Sequence, residues 1–204
     1  METKKKYFPM YVDISKKKIV VIGGGTIASR RINTLLSFAE CITVVAPEVT
    51  ESIKQLSRKE KLVWIQGEYC IEHIKDADIV LALTNQPSVN HQIKDDCRKI
   101  EAELGKRIPV SVADDKELCD FYFPSIVETE EVVIGINSGG TSPGTVKRIR
   151  KKIEEVLNSI VYTKNKSCQK PPLHFKCRQN RMKHFGYTNT KVLEGGIIFS
   201  DVEA

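Results

Sequence analysis

The sequence predicts an α/β fold, with a parallel sheet, then a small α+β dimerisation region, then a basic C-terminal segment. Three observations predict it. Short β-branched runs alternate with stretches of helical periodicity as far as residue 115, and a glycine-rich turn joins the first run to the first helical stretch. Positive charge lies at the end, since residues 147–204 contain 13 Lys and Arg against 5 Asp and Glu, whereas residues 1–146 contain 19 against 21. A Rossmann-like domain is therefore expected over 1–115, the dimerisation region over 116–150 and the basic, partly helical segment over 151–204.

The glycine turn follows a predicted strand at residues 18–22. Its pattern is G-x-G-x-x-A, formed by Gly23, Gly25 and Ala28. Gly23 can make the tight turn, Gly25 lets a pyrophosphate approach the backbone, and small Ala28 lets the helix pack closely. The helix N-terminus then offers unpaired N–H groups and partial positive charge to phosphates. This pattern predicts a dinucleotide site; the alternative is a glycine-rich turn that holds no ligand.

The first helix and the second strand complete the predicted nucleotide-binding unit. The helix is predicted from apolar residues at helical spacing, which are Ile27, Ile32, Leu35, Leu36 and Ala39. The strand at 41–46 leads to Pro47 and Glu48, and Glu48 lies about 20 residues beyond the glycine turn, where an acidic residue can bind ribose. No Lys or Arg directly follows this strand to hold a 2′-phosphate. The sequence therefore favours NAD over NADP.

Polar residues follow the next buried strand. A helix over 49–59 and a strand over 62–66 come first. Residues 78–83 then form an apolar run that is typical of a parallel strand buried on both faces. Thr84 and Asn85 follow it, and ligands of open α/β sheets bind at such strand ends. These two residues are candidates to line the cofactor cleft; capping of the helix predicted over 88–104 is the alternative.

A fifth strand at 108–112 leads into Asp114 and Asp115, after which the alternation stops. The later elements are an aromatic-rich stretch at 118–126, a strand at 131–136, a loop at 137–144 and a basic helix at 145–160. Pro143 suits the start of that helix. This β–loop–helix unit is a candidate arm exchanged between subunits.

Composition indicates a cytoplasmic globular protein. The 204 residues are 41% hydrophobic and 28% charged, and no apolar run approaches the roughly 20 residues that span a membrane. The start lacks the apolar stretch of a signal peptide, and the six cysteines form no C-x-x-C pair, so reduced thiols are expected. Cys168, His174, Cys177 and His184 fit no usual zinc spacing, so residues 161–204 are expected to be a loose, basic tail.

Seven segments together resemble the precorrin-2 dehydrogenases of siroheme synthesis, which also form the N-terminal part of the multifunctional siroheme synthases. In chain order they are YFPMYVDI at 7–14, VVIGGGTIASRR at 20–31, TVVAPE at 43–48, LALTNQPSVN at 81–90, SVADD at 111–115, CDFYFPSIV at 119–127 and INSGGTSPG at 136–144. The glycine turn alone is common. Its combination with FPSIV and SGGTSP is specific, whereas residues 161–204 do not resemble the helical C-terminal region of the family.

The resemblance implies an NAD-dependent oxidation of precorrin-2, a tetrapyrrole rich in carboxylates, to sirohydrochlorin. A hydride passes to NAD and a base takes the lost proton. Asp114 is the candidate base, because it matches the aspartate of the family's N-V-x-D segment, in which Ser111 replaces the usual Asn. Its alternative role is a helix or turn cap, since acidic caps are common.

The resemblance also implies roles for residues around the cleft. Thr26 and Ile27 match backbone positions that contact NAD, and Pro47 and Glu48 match the ribose-side loop. Ser138 matches a serine of the S-G-G-T-S-P loop and is a candidate substrate-binding residue; satisfying local backbone groups is its alternative. Lys147 and Arg148 begin a cluster that continues with Arg150, Lys151 and Lys152. These cations can meet substrate carboxylates, or they can form a solvated helix face.

Three functions follow as hypotheses. The first is a homodimeric precorrin-2 dehydrogenase, joined through residues 115–150. The second adds ferrochelatase activity, with ferrous iron as a further substrate. The third, from another class, is a non-enzymatic NAD-sensing or nucleic-acid-binding regulator, suggested by the basic end. Nucleic acid is not favoured as a partner, because the basic residues are not interleaved with a recognisable nucleic-acid module.

Overall fold

A five-stranded parallel sheet forms the centre of the fold. The computed structural model describes residues 7–167, so the predictions made for the tail beyond them lie outside the described residues. The strands are β1 (Lys18–Ile22), β2 (Cys41–Ala46), β3 (Val63–Gln66), β4 (Ile79–Ala82) and β5 (Val110–Val112). Their order is β3-β2-β1-β4-β5, and all neighbours run parallel. The Rossmann-like sheet predicted from the sequence is confirmed.

Helices cover both faces of the sheet. They are α1 (Thr26–Leu35), α2 (Glu51–Arg58) and α3 (Pro87–Leu104). Ile32 and Ile53, from α1 and α2, pack in one apolar cluster with Val21 and the other strand residues of that face. Ile93 of α3 packs with Val20 and the other strand residues of the opposite face of the sheet. Because both faces are buried, the strands read as continuous apolar runs rather than alternating ones.

The chain changes direction across the sheet at β1. From β1 it moves outward through β2 to β3, and it then returns to β4 on the other side of β1. Such a reversal leaves a crevice at the carboxyl ends of the two strands, where open α/β sheets bind ligands. The crevice expected from the sequence thus lies between the ends of β1 and β4.

The chain keeps contact with the sheet beyond residue 115, where the nucleotide-binding domain is predicted to end. The backbone N–H of Asp120 donates to Val110 O at 2.8 Å, and its carboxylate accepts the Val110 N–H at 2.9 Å. The Cys119 Sγ atom lies 3.2 Å from both the N–H and the carbonyl oxygen of Val112. Phe121 and Phe123 pack against the α1 and α2 side of the core.

A hairpin and a long helix follow. β6 (Ser125–Glu128) and β7 (Val133–Ile136) pair antiparallel, and α4 (Pro143–Ser167) packs against β6. The strand predicted at 131–136 is confirmed as β7, whereas β6 was not predicted. Compared with the helix predicted over 145–160, α4 starts two residues earlier and ends seven residues later. It also crosses residue 150, the predicted boundary between the dimerisation region and the basic segment. No helix within residues 7–167 combines the length and the apolar character needed to cross a bilayer.

The N-terminal lead-in, residues 7–14, contains no strand and lies beside the hairpin. The Tyr11 hydroxyl donates to Val133 O at 2.9 Å. The Tyr7 and Tyr122 rings meet edge to face, with centroids 4.6 Å apart, and the Tyr122 hydroxyl donates to the Tyr7 hydroxyl at 3.0 Å. These contacts attach the lead-in to the part of the chain that follows the sheet.

Candidate active site

Gly23 makes the turn that ends β1. Its φ of +114° lies in the region that side chains rarely adopt, and a Cβ atom there would lie 2.5 Å from Leu83 O. Its N–H donates to Val45 O at 2.9 Å, so the turn is fixed between β2 and the end of β4. Gly23 is therefore required by the fold itself.

Gly24 was not singled out by the sequence pattern, yet it is buried in the same turn. A Cβ atom on it would collide with the backbone oxygen of Glu48 and lie 2.5 Å from the Val49 side chain. Its carbonyl oxygen accepts the Thr50 N–H at 2.9 Å. The signal in the sequence was the run of three glycines, of which the fingerprint uses only the outer two.

Gly25 has no such packing role. It is the N-cap of α1, no side chain caps the helix there, and a Cβ atom on it would find nothing within 4 Å. The first N–H groups of α1, including those of exposed Thr26 and Ile27, therefore begin at an open surface. An open, glycine-lined helix N-terminus fits a pyrophosphate, so the residues present are suited to a dinucleotide.

Pro47 and Glu48 are exposed at the end of β2, beside the glycine turn. The backbone of Glu48 adjoins Gly24, and the Gln66 side chain donates to Pro47 O at 3.3 Å. These two predicted ribose-side residues thus lie at the same sheet edge as the predicted phosphate site, the arrangement that the fingerprint requires.

A hydrogen-bonded group joins the ends of β4 and β5. The Asn90 Nδ2 atom donates to Asp114 Oδ1 at 2.8 Å and to Thr84 O at 3.2 Å. The Asn90 Oδ1 atom accepts the Thr84 N–H at 3.1 Å and lies 2.8 Å from Thr84 Oγ1. The predicted cofactor-side residue Thr84 and the predicted base Asp114 are therefore linked by one side chain.

Sequence reasoning missed Asn90. Its side chain is 0% exposed, and it lies on the buried face of α3 with Ile93 and Cys97, three and seven residues further on. A polar residue at the i position of an apolar i, i+3, i+7 pattern was the available signal, because a buried amide must find partners.

The capping roles considered for the neighbouring residues fall elsewhere. The N-cap of α3 is Gln86, and Thr84 Oγ1 accepts the Gln86 N–H at 3.1 Å within the preceding turn. Asp115, not Asp114, caps the 3₁₀ helix that follows β5, since its carboxylate accepts the Glu117 N–H at 2.9 Å. Asp114 and Asn85 are both exposed at this edge.

Arg31 is a second residue that the sequence did not reveal. This half-buried side chain of α1 donates to Ser111 Oγ at 3.3 Å, and its guanidinium carbon lies 5.2 Å from the centre of the Phe123 ring. Burial lowers the pKa of the Arg31 guanidinium below its ordinary value. The residue ties α1 to β5 and to the segment that follows the sheet.

The SGGTSP loop is held together by its own residues. The Ser138 Oγ atom accepts the Ser142 N–H at 3.1 Å, and the Ser138 carbonyl accepts from the Thr141 hydroxyl at 2.6 Å. The Ser142 hydroxyl lies 2.7 Å from Thr145 Oγ1 at the start of α4. Ser138 thus has the local role that was its alternative, and its role toward substrate stays a prediction.

Lys147 and Arg148 lie on α4, exposed. They line an open groove of about 380 Å³ together with Gly144, Lys151, Lys152 and Glu155. Four cations against one carboxylate make this surface attractive to a polyanion. The structure brings these residues together on α4, the helix that packs against β6.

The chain matches known proteins over most of its described part. Residues 10–125 match a family model described as putative NAD(P)-binding. A siroheme synthase of Psychrobacter sp. is 34% identical over 150 residues, which are 74% of this chain and 30% of that protein. One of Photorhabdus laumondii is 32% identical over 177 residues, 87% of this chain and 36% of the relative. The chain thus spans about a third of the length of these curated relatives.

A solved structure shares the fold. It is described as SirC, precorrin-2 dehydrogenase, and it superimposes with a TM-score of 0.60 at 24% identity, covering 79% of this chain and 76% of the other. The match extends beyond the five-stranded sheet, because the sheet and its helices account for only about half of the chain.

Proposed function

Since the chain belongs to the family described as putative NAD(P)-binding and is similar to siroheme synthases over 150 residues, we propose that it oxidises precorrin-2 to sirohydrochlorin with NAD as the hydride acceptor. The observation that carries the proposal is the position of Asp114. This exposed carboxylate follows β5, beside the strand ends that form the dinucleotide crevice, and a buried amide holds one of its oxygens. A base and a hydride acceptor are the two groups that this oxidation requires.

In the proposed mechanism the chain binds, orients and takes a proton. Gly25 and the N-terminus of α1 bind the pyrophosphate, and Glu48 accepts hydrogen bonds from the ribose hydroxyls, which favours NAD over NADP. Bound NAD supplies the hydride acceptor. Asp114 takes the proton that leaves the macrocycle as a C–H bond breaks and a new double bond forms.

Substrate binding is proposed for the basic face of α4. Lys147 and Arg148, with Lys151 and Lys152, offer a cluster of positive charge to the carboxylates of the tetrapyrrole. Lysine and arginine at the solvent boundary act at a distance of several ångström and are screened by salt. We therefore expect the KM for precorrin-2 to rise with ionic strength while the Kd of NAD changes less.

The homodimer joined through residues 115–150 stays a proposal, and the apolar residues that the adjoining lead-in leaves exposed support it. Phe8 is 88% exposed, and Met10 and Tyr11 are each 74% exposed, on the lead-in that contacts the hairpin. Contiguous exposed apolar groups commonly mark an interface, and a second copy of this chain is the proposed occupant. Sedimentation velocity on the protein, compared with a Phe8→Ser, Met10→Ser double variant, tests this: the variant should sediment as a monomer.

Iron insertion is the second proposed activity, with ferrous iron as substrate. It rests on Asp114 lying next to Asp115, whose Oδ2 atom is 3.6 Å from His91 Nε2. Within residues 7–167 no group of three potential metal ligands clusters, so this activity would depend on ligands that the tetrapyrrole itself supplies. Anaerobic addition of Fe²⁺ or Co²⁺ to purified sirohydrochlorin, with and without the protein, measures it directly.

The deciding experiment is anaerobic incubation with freshly made precorrin-2 and either NAD or NADP, following sirohydrochlorin by absorbance. Product with NAD supports the proposal. Measurable NAD binding without product would contradict it and leave an NAD-binding protein of another activity.

A further inference from the structure

Asn90 is the most completely enclosed polar side chain of the described part, at 0% exposed. Both the nitrogen and the oxygen of its side-chain amide make hydrogen bonds. Nδ2 donates to Asp114 Oδ1 and Thr84 O, whereas Oδ1 accepts from the Thr84 N–H and lies 2.8 Å from the Thr84 hydroxyl. The other buried polar residues of α3, Lys94 and Asp96, pair with charged partners instead.

The partners of Asn90 fix which way its amide points. The Thr84 N–H can only donate, so the amide oxygen must face it, and the Thr84 carbonyl can only accept, so the amide nitrogen must face that. A flipped amide would place its oxygen against two acceptors, Thr84 O and Asp114 Oδ1. The backbone at the end of β4 therefore obliges Asn90 to present an N–H, never an oxygen, to Asp114.

This geometry points to Asn90 as a positioning residue for Asp114. The amide holds Asp114 Oδ1 at 2.8 Å, and within residues 7–167 the Oδ2 atom makes no hydrogen bond, so it is the oxygen open to a substrate proton. Thr84 acts as the anchor, because its backbone and its hydroxyl both bind the same amide. The assignment rests on the proposed function of Asp114 as the base.

The arrangement also couples the base to the cofactor side of the crevice. Thr84 follows β4, and Gly23 packs against the Leu83 carbonyl one residue earlier. The dinucleotide turn, the end of β4 and Asp114 are thus connected through three contacts, which are Gly23 to Leu83, Thr84 to Asn90 and Asn90 to Asp114. Proton transfer depends on reach within a few tenths of an ångström, so loss of this connection should lower kcat more than it weakens NAD binding.

The test replaces Asn90 with its closest isostere. Asn90→Asp keeps an oxygen toward the Thr84 N–H but puts a second oxygen where Nδ2 donates to Asp114. We expect kcat for precorrin-2 to fall about 10- to 100-fold, with the Kd of NAD within about twofold. Asp96→Asn is the matched control, since Asp96 is also a buried polar residue of α3, 3% exposed, and its partners are Tyr69 and Lys99. Asp96→Asn should lower the melting temperature about as much as Asn90→Asp does, but it should change kcat less than about twofold.

A second measurement needs no turnover. In the NMR spectrum of ¹⁵N-labelled protein, the Asn90 side-chain amide signals should shift on Asp114→Ala and stay in place on Asp115→Ala. Unshifted signals, or an Asn90→Asp enzyme with kcat within twofold of the unmodified protein, would overturn the positioning role. If the unmodified protein does not oxidise precorrin-2, both the proposed function and the positioning role of Asn90 in catalysis are refuted. The NMR measurement still reports separately whether the contact between Asn90 and Asp114 exists.

Discussion

Replacing Gly23 and Gly25 one at a time with alanine separates the folding role of the glycine turn from its binding role. At Gly23 an added Cβ atom meets Leu83 O at 2.5 Å, and the φ of +114° is unfavourable for any side chain. The positive φ costs about 1–2 kcal/mol and the collision with backbone at least as much again, so about 3 kcal/mol of unfolding free energy should be lost. For a chain of this size that lowers the melting temperature by about 6–12 °C.

At Gly25 the same substitution meets no atom within 4 Å and an extended backbone of φ −78° and ψ −170° that alanine accepts. Fewer unfolded conformations and a slightly poorer N-cap nearly cancel, so the unfolding free energy should change by less than about 1 kcal/mol. The methyl group would nevertheless occupy the surface that a pyrophosphate approaches. The Kd of NAD should rise about tenfold or more, which corresponds to about 1.4 kcal/mol.

Thermal unfolding by circular dichroism and titration calorimetry with NAD measure both effects on the same two proteins. We expect the two variants to rank in opposite order in the two assays: Gly23→Ala should have the lower melting temperature, and Gly25→Ala should have the higher Kd for NAD, measured on folded protein. If Gly25→Ala binds NAD as tightly as the unmodified protein, the open space at the start of α1 is not the phosphate site. If Gly23→Ala melts at the original temperature, the turn relaxes in a way that the structure does not indicate.

Four further predictions concern single residues. Asp114→Ala should slow precorrin-2 turnover about 10²- to 10⁴-fold, measured by sirohydrochlorin absorbance, and leave the Kd of NAD unchanged; retained turnover would remove Asp114 from the role of base. Lys94→Met leaves the Asp120 carboxylate without its 2.7 Å partner, in a pair whose side chains are 10% and 24% exposed, and should cost about 3–5 kcal/mol in urea denaturation. Arg98→Ala removes a pair with 60% and 62% exposed side chains and should cost about 1 kcal/mol or less. Burial raises the pKa of the Cys97 thiol from 9.0 to about 12, so its stabilising contribution is complete below pH 9 and is lost as the pH rises toward 12. In the native protein at pH 8, iodoacetamide should label the exposed cysteines and spare Cys97, as peptide mass spectrometry would show.

The strands of the sheet could be predicted from the sequence because their signal is local. A run such as residues 78–83 is apolar throughout only if both faces are buried, so the run itself reports the parallel sheet. β6 could not be predicted in this way. The aromatic residues before it, Phe121 and Phe123, pack on the core rather than along a strand, and they obscured the short pattern of Ser125–Glu128.

Only those parts of the candidate site that a local sequence pattern encodes could be predicted. The glycine turn has a fixed spacing and was found. The choice between Asp114 and Asp115 depends on which carboxylate caps the next 3₁₀ helix, a detail that two adjacent aspartates do not encode. The Asn90 contact joins residues 24 positions apart and depends on β4 and β5 being neighbours, so no local pattern contains it.

The segment after β5 has a consequence for association of the chain. β5 is an edge strand, and its outward-facing N–H and C=O groups belong to Val110 and Val112. The Asp120 backbone N–H and carboxylate make hydrogen bonds with the C=O and N–H of Val110, and the Cys119 thiol does the same with Val112. A strand from another molecule therefore finds no free ladder on this side, which protects the sheet against edge-to-edge aggregation. The Lys94 Nζ atom lies 2.7 Å from both oxygens of the Asp120 carboxylate, so the ion pair of the core also helps to keep this edge covered.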